Sequence, residues 1–181
     1  MKPTPILNTA RLKLRFFEMS DASAVFRLVK ERDIAATTTN IPHPYLEGMA
    51  EEWICTHREK YEEGELINFA ITLTSSHELV GAIGLMINQD FDNAELGYWI
   101  GKPYWGQGYC TEAARAVLQY SFTDLNLNRV YAFHYLVNPA SGKVMEKIGM
   151  KKEGVARQQI KKWGVYHDSV SYGILRSEFK I

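Results

Sequence analysis

The stretch YWIGKPYWGQGYCTEAA, Tyr98 to Ala114, decides how this chain folds. Tyr98, Trp99 and Ile100 read as the end of a β-strand, Gly106-Gln107-Gly108 as a tight turn, and the residues from Thr111 onward as a helix. Glycines in such a turn let the backbone approach a ligand closely, and a helix start offers unpaired N–H groups with a partial positive charge. The corner is suited to phosphate. Two nucleotide motifs can be tested against it, and both fail. A P-loop needs GxxxxGK followed by Ser or Thr, and no such lysine follows Gly108. A dinucleotide fingerprint needs a third glycine here and an acidic residue ending the next strand, which instead ends at Asn138-Pro139. A turn whose glycines serve geometry alone stays open.

On the N-terminal side, Leu12, Leu14 and Phe16 alternate with Arg11, Lys13 and Arg15, the period of a half-buried strand. Ser20 and Asp21 suit the cap of a helix carrying Ala24, Val25, Leu28 and Val29. Ala35 to Tyr45 reads as a loop, and Leu46 to Glu62 as one helix with Met49, Trp53 and His57 on one side. Strands are expected near Leu66–Thr74, Glu78–Ile87 and Asn93–Gly101. A helix from Thr111 to Leu125 buries Ala114, Leu118, Ser121, Phe122 and Leu125. Arg129 to Val137 is a strand, Pro139 to Ile148 a helix stopped by Gly149, and Val155–Lys162 and Asp168–Leu175 two closing strands around Gly164. The expectation is a single domain over 1–181, of mixed α/β (α+β) class, with a sheet covered by helices.

Composition narrows the function. Lys plus Arg and Asp plus Glu both number 21, so the formal net charge is zero. A sequence-independent grip on nucleic acid needs a basic excess that this chain lacks. Its two cysteines, Cys55 and Cys110, form no CxxC and fit reduced thiols. The start, MKPTPILNTARLKLRFFE, has no apolar leader core, and no stretch approaches the ~18 apolar residues of a membrane span. The expectation is a cytoplasmic, soluble protein with no nucleic-acid or membrane partner. His43, His134 and His167 have no metal-ligand spacing, so no metal is expected.

Taken with Asn138-Pro139-Ala140-Ser141 and Glu146-Lys147-Ile148-Gly149-Met150, the segment from Tyr98 to Ala114 resembles the GNAT superfamily of acyl-CoA-dependent N-acetyltransferases. Trp105-Gly106-Gln107-Gly108-Tyr109-Cys110 occupies that family's Gln/Arg-x-x-Gly-x-Gly/Ala signature, departing at Trp105 and Cys110. The form YWGQGYCTEA is similar to the RimJ/RimL branch, which acetylates ribosomal-protein N-termini. Thr9-Ala10-Arg11-Leu12, Ile41-Pro42-His43-Pro44-Tyr45 and Asp168-Ser169-Val170-Ser171-Tyr172 extend the match along nearly the whole chain. The resemblance implies a mixed, mostly antiparallel sheet of about seven strands flanked by about four helices. It implies acetyl-CoA as co-substrate, its pyrophosphate on the backbone of Trp105, Gly106, Gln107, Gly108, Tyr109 and Cys110, with Thr111 beyond. The pantetheine arm is expected along Tyr98, Trp99 and Ile100, imitating a β-strand. Homodimers are common among similar proteins.

The implied reaction is direct attack of a primary amine on the thioester, which needs a neutral amine, a stabilised oxyanion and a protonated leaving thiolate. Many relatives protonate the thiolate with a tyrosine in an NxxAxxLY pattern. Here that pattern reads Asn138, Ser141, Val144 and Met145, without the tyrosine. Ser141 resembles the serine that the RimJ/RimL branch carries near the thiol and is the candidate there. Asn138 and Pro139 also form a good helix start, so Asn138 is either a cap or a coenzyme contact. Glu95, sharing a strand face with Gly97 and Trp99, is the candidate base, directly or through water; an exposed strand glutamate is the bland alternative. Cys110 reads as a small packed residue or as an acyl-enzyme nucleophile. His43, Tyr45, Trp163 and Tyr166 are the candidate acceptor residues, with Trp53 and Trp99 among the further aromatics. The acceptor is a protein N-terminal α-amine or a small amine such as an amino acid, polyamine or antibiotic. A non-catalytic acyl-CoA-binding module is the other class.

Overall fold

Alternating leucines at 12 and 14 do make a strand, with both side chains fully buried. In the computed structural model, which describes residues 3–180, that strand is one of eight. They are β1 (Leu7–Asn8), β2 (Leu12–Phe16), β3 (Leu66–Leu73), β4 (Leu79–Asn88), β5 (Asn93–Ile100), β6 (Arg129–Tyr135), β7 (Lys151–Lys162) and β8 (Val165–Leu175). They form one sheet in the order β1-β2-β3-β4-β5-β6-β8-β7. Every neighbouring pair is antiparallel except β5 and β6. Parallel neighbours need a crossover, and the helix that follows the glycine turn supplies it. The helices are α1 (Ala22–Val29), α2 (Arg32–Thr37), α3 (Met49–Cys55), α4 (His57–Glu63), α5 (Tyr109–Thr123) and α6 (Pro139–Lys147).

The mixed, mostly antiparallel architecture expected from the sequence is present, with eight strands instead of about seven and six α-helices instead of about four. Each difference has a local cause. Two residues of β1 are too few to show a period. The expected helix over 46–62 starts late, because Gly48 is left-handed (φ 89°). It also breaks at Thr56, whose hydroxyl donates to the Trp53 carbonyl at 2.9 Å. Such side-chain bonds compete with the helical ladder. In the expected loop, Thr37 and Thr38 instead close α2, their hydroxyls donating at 2.9 Å to the carbonyls of Asp33 and Ile34. Asp21 stands at the N-cap of α1 without a capping bond to it. Its side chain accepts from Arg15 at 2.7 and 2.8 Å and from the Glu18 N–H at 2.8 Å, which closes the capping box of the 3-10 turn Met19–Asp21. β7 begins at Lys151, before the expected Val155, and its register slips twice, which hides the alternation.

The main core lies between the sheet and α5. Ala113, Ala114, Val117, Leu118, Ser121 and Phe122 form the buried stripe of that helix, packed on strand residues such as Leu14, Ile83 and Leu96. A second apolar cluster joins α1, α2 and α3 to Ala70 and Leu79, with Trp99 packed against it. Thus β5 is sandwiched between two sets of helices. No helix among the described residues is long and apolar enough to cross a membrane.

Candidate active site

β5 and β6 run side by side for only three residue pairs, Asn93–Glu95 against Arg129–Tyr131. Beyond them β5 continues to Ile100, held only by β4, and β6 continues to Tyr135, held only by β8. The two strands therefore splay into a wedge that opens toward their carboxyl ends. Main-chain N–H and C=O groups along such an edge need partners, and an extended amide-bearing chain could supply them. Ligands of α/β sheets characteristically enter at strand carboxyl ends.

The glycine turn sits at the mouth of this wedge. Gly106 and Gly108 are both left-handed, at φ 76° and 81°, and a side chain on Gly106 would meet nothing within 4 Å. The turn is therefore open on its outer side. α5 starts at Tyr109, so Tyr109, Cys110 and Thr111 form its partly buried amino end, and no side chain caps it. Two turn residues brace rather than reach outward. The Trp105 indole N–H donates to the Ile100 carbonyl at 2.6 Å, and the Gln107 amide donates to the Pro103 carbonyl at 3.2 Å. Trp105, where the signature has Gln or Arg, thus ties the turn back to the end of β5.

Ser141 lies in the first turn of α6, and Asn138 holds the N-cap position without any capping bond from its side chain. Across the wedge, the Tyr98 hydroxyl stands 2.9 Å from the Ser141 hydroxyl and 3.1 Å from its carbonyl. Burial pushes the Tyr98 hydroxyl well above its ordinary pKa, the Cys110 sulfur adds to this, and Ser141 partly opposes it. Tyr98 is therefore a neutral donor. A tyrosine absent from the helix is met by one on β5. The adjoining Gly142 has a packing reason: a Cβ there would lie 2.7 Å from the buried His134 ring. Cys110 packs against the main core, and burial raises its thiol pKa. A thiol held protonated is a poor nucleophile, so the packing alternative is the better account of Cys110.

Glu95 lies on the other face of β5, at the closed end of the wedge beside Tyr131 and Met86. Partial burial raises its pKa above the usual carboxylate value, which suits a base more than a solvated surface glutamate. On the same strand face, Gly97 is exposed and a side chain there would touch nothing within 4 Å. The strand surface beside Glu95 is therefore bare and open.

Residues 11–151 match the family model described as an acetyltransferase (GNAT) domain. The chain belongs to the GNAT acetyltransferase family. It is an N-acetyltransferase, of a family whose acyl donor is acetyl-CoA. The N-acetyltransferase YoaA of Bacillus subtilis is 33% identical over 178 residues, covering 95% of this chain and 97% of the relative. YdaF of the same organism, provisionally named a ribosomal N-acetyltransferase, is 30% identical over 177 residues and 93% of each chain. That similarity agrees with the RimJ/RimL-like branch read from the sequence. The crystal structure of a GNAT-family acetyltransferase from Bacillus anthracis superposes with a TM-score of 0.86 at 28% identity, covering 96% of this chain and all of that one.

The expected acceptor residues of this GNAT chain are only partly brought together. His43 and Trp163 meet, with ring centres 6.0 Å apart. Tyr45 instead turns inward onto Phe26, and Tyr166 lies exposed under Lys161. Trp163 occupies a left-handed turn position (φ 48°) before Gly164, a site that favours Asn or Asp over a bulky ring. Arg32 covers its ring at 4.9 Å. Beneath it, the Lys162 ammonium donates to the carbonyls of Thr38, Thr39 and Ile41 at 2.9, 3.2 and 2.7 Å. Lys162 thus pins the His43 loop to the β7–β8 hairpin. Neither Lys162 nor the side chain of Tyr98 has a role legible in the sequence, because their partners lie far away along the chain. Among the described residues no group of three His, Cys, Asp or Glu side chains could hold a metal.

Proposed function

We propose that this chain transfers the acetyl group of acetyl-CoA to a primary amine, the α-amine of a protein N-terminus, and that it works as a single cytoplasmic domain. The observation that carries the acceptor is the open strand surface beside Glu95, where Gly97 is exposed and bare. It admits the end of a polypeptide without an enclosing cavity. The similarity to YdaF points the same way.

Coenzyme A supplies an acetyl thioester already activated toward amines. The uncapped start of α5 and the amides of residues 105–111 suit its pyrophosphate, and the free edge of β5 at Tyr98, Trp99 and Ile100 suits its amide-bearing arm. Asn138, free of capping duty, adds a polar contact on the far side of the wedge. Glu95 takes the proton that the ammonium must lose, directly or through one water. An α-amine of pKa about 8 is already about one-tenth neutral at pH 7, so a weak base suffices. β5 main-chain N–H groups face the developing oxyanion. Ser141, oriented by the Tyr98 hydroxyl, donates a hydrogen bond to the departing sulfur. It relays to that sulfur the proton that the attacking nitrogen sheds as the tetrahedral intermediate collapses, so the hydroxyl ends as it began. Tyr98, its pKa raised by burial, stays protonated and serves as the donor that orients Ser141. His43 and Trp163 flank the incoming chain.

A thiol-release assay tests this with acetyl-CoA, peptides with free or blocked N-termini, and small amines. Turnover is expected only with free peptide α-amines. Turnover of polyamines or amino acids without peptides would transfer the site to small acceptors. Coenzyme binding with no transfer to any amine would make it a binding module.

A further inference from the structure

The Thr9-Ala10-Arg11-Leu12 segment, between β1 and β2, has no part in the chemistry above, yet it is bonded to the glycine turn about 100 residues away. Arg11 touches three positions there. Its Nη1 donates to the Gln107 carbonyl at 3.0 Å, and its Nε donates to Glu112 Oε2 at 2.7 Å. Its guanidinium also lies over the Tyr109 ring, 4.7 Å from the centre. Glu112 is held from the same segment by the Thr9 hydroxyl at 2.6 Å and the Arg11 N–H at 2.8 Å. Burial alone would raise the Glu112 pKa, but Thr9 and Arg11 outweigh it and keep the carboxyl ionised below its usual range.

The geometry has a directional consequence. In a trans peptide the C=O and the following N–H point opposite ways. Holding the Gln107 oxygen on Arg11 therefore turns the Gly108 N–H to the other side of the turn. Gly108 is left-handed and its own carbonyl is held by the Glu112 N–H at 3.0 Å. Of its two peptides, it is therefore the one shared with Gln107 that depends on Arg11 for its direction. The bonds to Tyr109 and Glu112 fix the first turn of α5 relative to that peptide. Glu112 would otherwise set an unneutralised negative charge near the phosphates.

We infer that Arg11 is a positioning residue for coenzyme recognition: it aims the turn amides at the pyrophosphate and neutralises Glu112, without itself contacting the phosphates. The inference rests on the coenzyme site proposed above. Arg11 is half-exposed in this surface ion pair while Glu112 is mostly covered, and pairs open to water on one side contribute little to global stability. Arg11→Ala is therefore expected to fold.

The test is calorimetric titration of coenzyme A and of pantetheine, which lacks the pyrophosphate, into the wild-type protein and its variants. Arg11→Ala should weaken coenzyme A by about 10- to 30-fold through lost preorganisation, and leave pantetheine unchanged. Arg11→Lys should rescue little, since a lysine cannot make the forked contacts. Glu112→Gln should weaken coenzyme A by about 3-fold, because Arg11 loses its anchor. In turnover, the acetyl-CoA KM should rise while kcat stays within about twofold. Equal weakening of both ligands would make Arg11 a general fold residue and overturn the inference. So would an unchanged coenzyme affinity in Arg11→Ala. Tighter binding by Glu112→Gln would make Arg11 a direct phosphate ligand, which also overturns it. A wild-type protein that binds no coenzyme A would instead remove the coenzyme site itself, and the inference with it.

Discussion

The two sides of the wedge are built by different means. On the proposed coenzyme side the features that suit a ligand are those of the backbone: an open strand edge, two left-handed glycines and an uncapped helix start. Side chains there mostly brace, as Trp105, Gln107 and Arg11 do. On the proposed acceptor side the candidates are side chains in loops, with His43 and Trp163 meeting across two segments that Lys162 ties together. Backbone recognition fixes a ligand common to a whole family, whereas loop side chains can change without disturbing the sheet. The family is therefore readable from the first side, and the acceptor must be sought on the second.

Removing Glu95 should have the largest effect, because it stands where the two sides meet. Glu95→Gln is expected to lower kcat by about 10²- to 10³-fold, as for loss of a general base. In the wild type, the acid limb of kcat/KM should lie above an ordinary carboxylate pKa, since burial raises that of Glu95. The limb should disappear in the variant. A carboxyl whose folded pKa is raised stabilises the fold below its unfolded pKa and loses that contribution as pH rises through the folded value. Glu95→Gln should accordingly melt at or above the wild-type temperature at neutral pH. A lower melting temperature, or an unchanged pH profile, would remove Glu95 from the chemistry.

Ser141→Ala should come next, with kcat reduced about 10- to 50-fold by the loss of one donor to the departing sulfur. Tyr98→Phe should cost about 3- to 5-fold, because it loosens Ser141 without removing it. If the two losses were additive in the double variant, the 2.9 Å contact between them would have no catalytic meaning.

How far each side was legible follows from the range of its determinants. Gly106 and Gly108 announce the turn locally, and the periodicity of residues 113–122 announces the helix behind it. Thr9, Arg11 and Glu112 each sit in recognised segments, but their bonds span more than 100 residues, and no local pattern signals them. The acceptor side was read as four aromatic positions, of which His43 and Trp163 meet while Tyr45 packs into an apolar cluster. Composition does not distinguish a core ring from a cleft ring. The two slips of register in β7 likewise erased its alternation.

A stability effect is expected outside both sides, in the packing of α4 on β3. His57, at the start of α4, is buried against Trp53 and Phe17 and accepts from the Asn68 amide at 3.0 Å. Its ring proton then sits on Nδ1, which has no partner. Burial, helped by Lys60, lowers its pKa to about 4. A histidine depressed this way destabilises the fold as pH drops below its unfolded pKa of about 6.5, down to about 4. Between pH 6.5 and 5 the loss should be about 2 kcal/mol. His57→Gln keeps an acceptor for Asn68 and should flatten the stability profile in that window, measured by urea unfolding. An unflattened profile would locate the acid sensitivity elsewhere.

The last effect is small and the most selective. Lys162→Met keeps the apolar stem of the side chain and removes the three bonds to Thr38, Thr39 and Ile41. The His43 loop should then loosen from the hairpin, and the contact between His43 and Trp163 should weaken. Burial already lowers the Lys162 pKa, so the charge is held at some cost and the carbonyls are what retain it. The expected result is a rise of about fivefold in the peptide KM, with the acetyl-CoA KM unchanged, as for lost uniform binding of one substrate. Arg11→Ala predicts the mirror image, a raised coenzyme KM with the peptide KM intact. Together the two variants measure whether the sides act independently, because residues without shared partners should add. A Lys162→Met enzyme that lost coenzyme affinity instead would mean that the hairpin also holds the mouth of the wedge, and the division between backbone and loop recognition would fail.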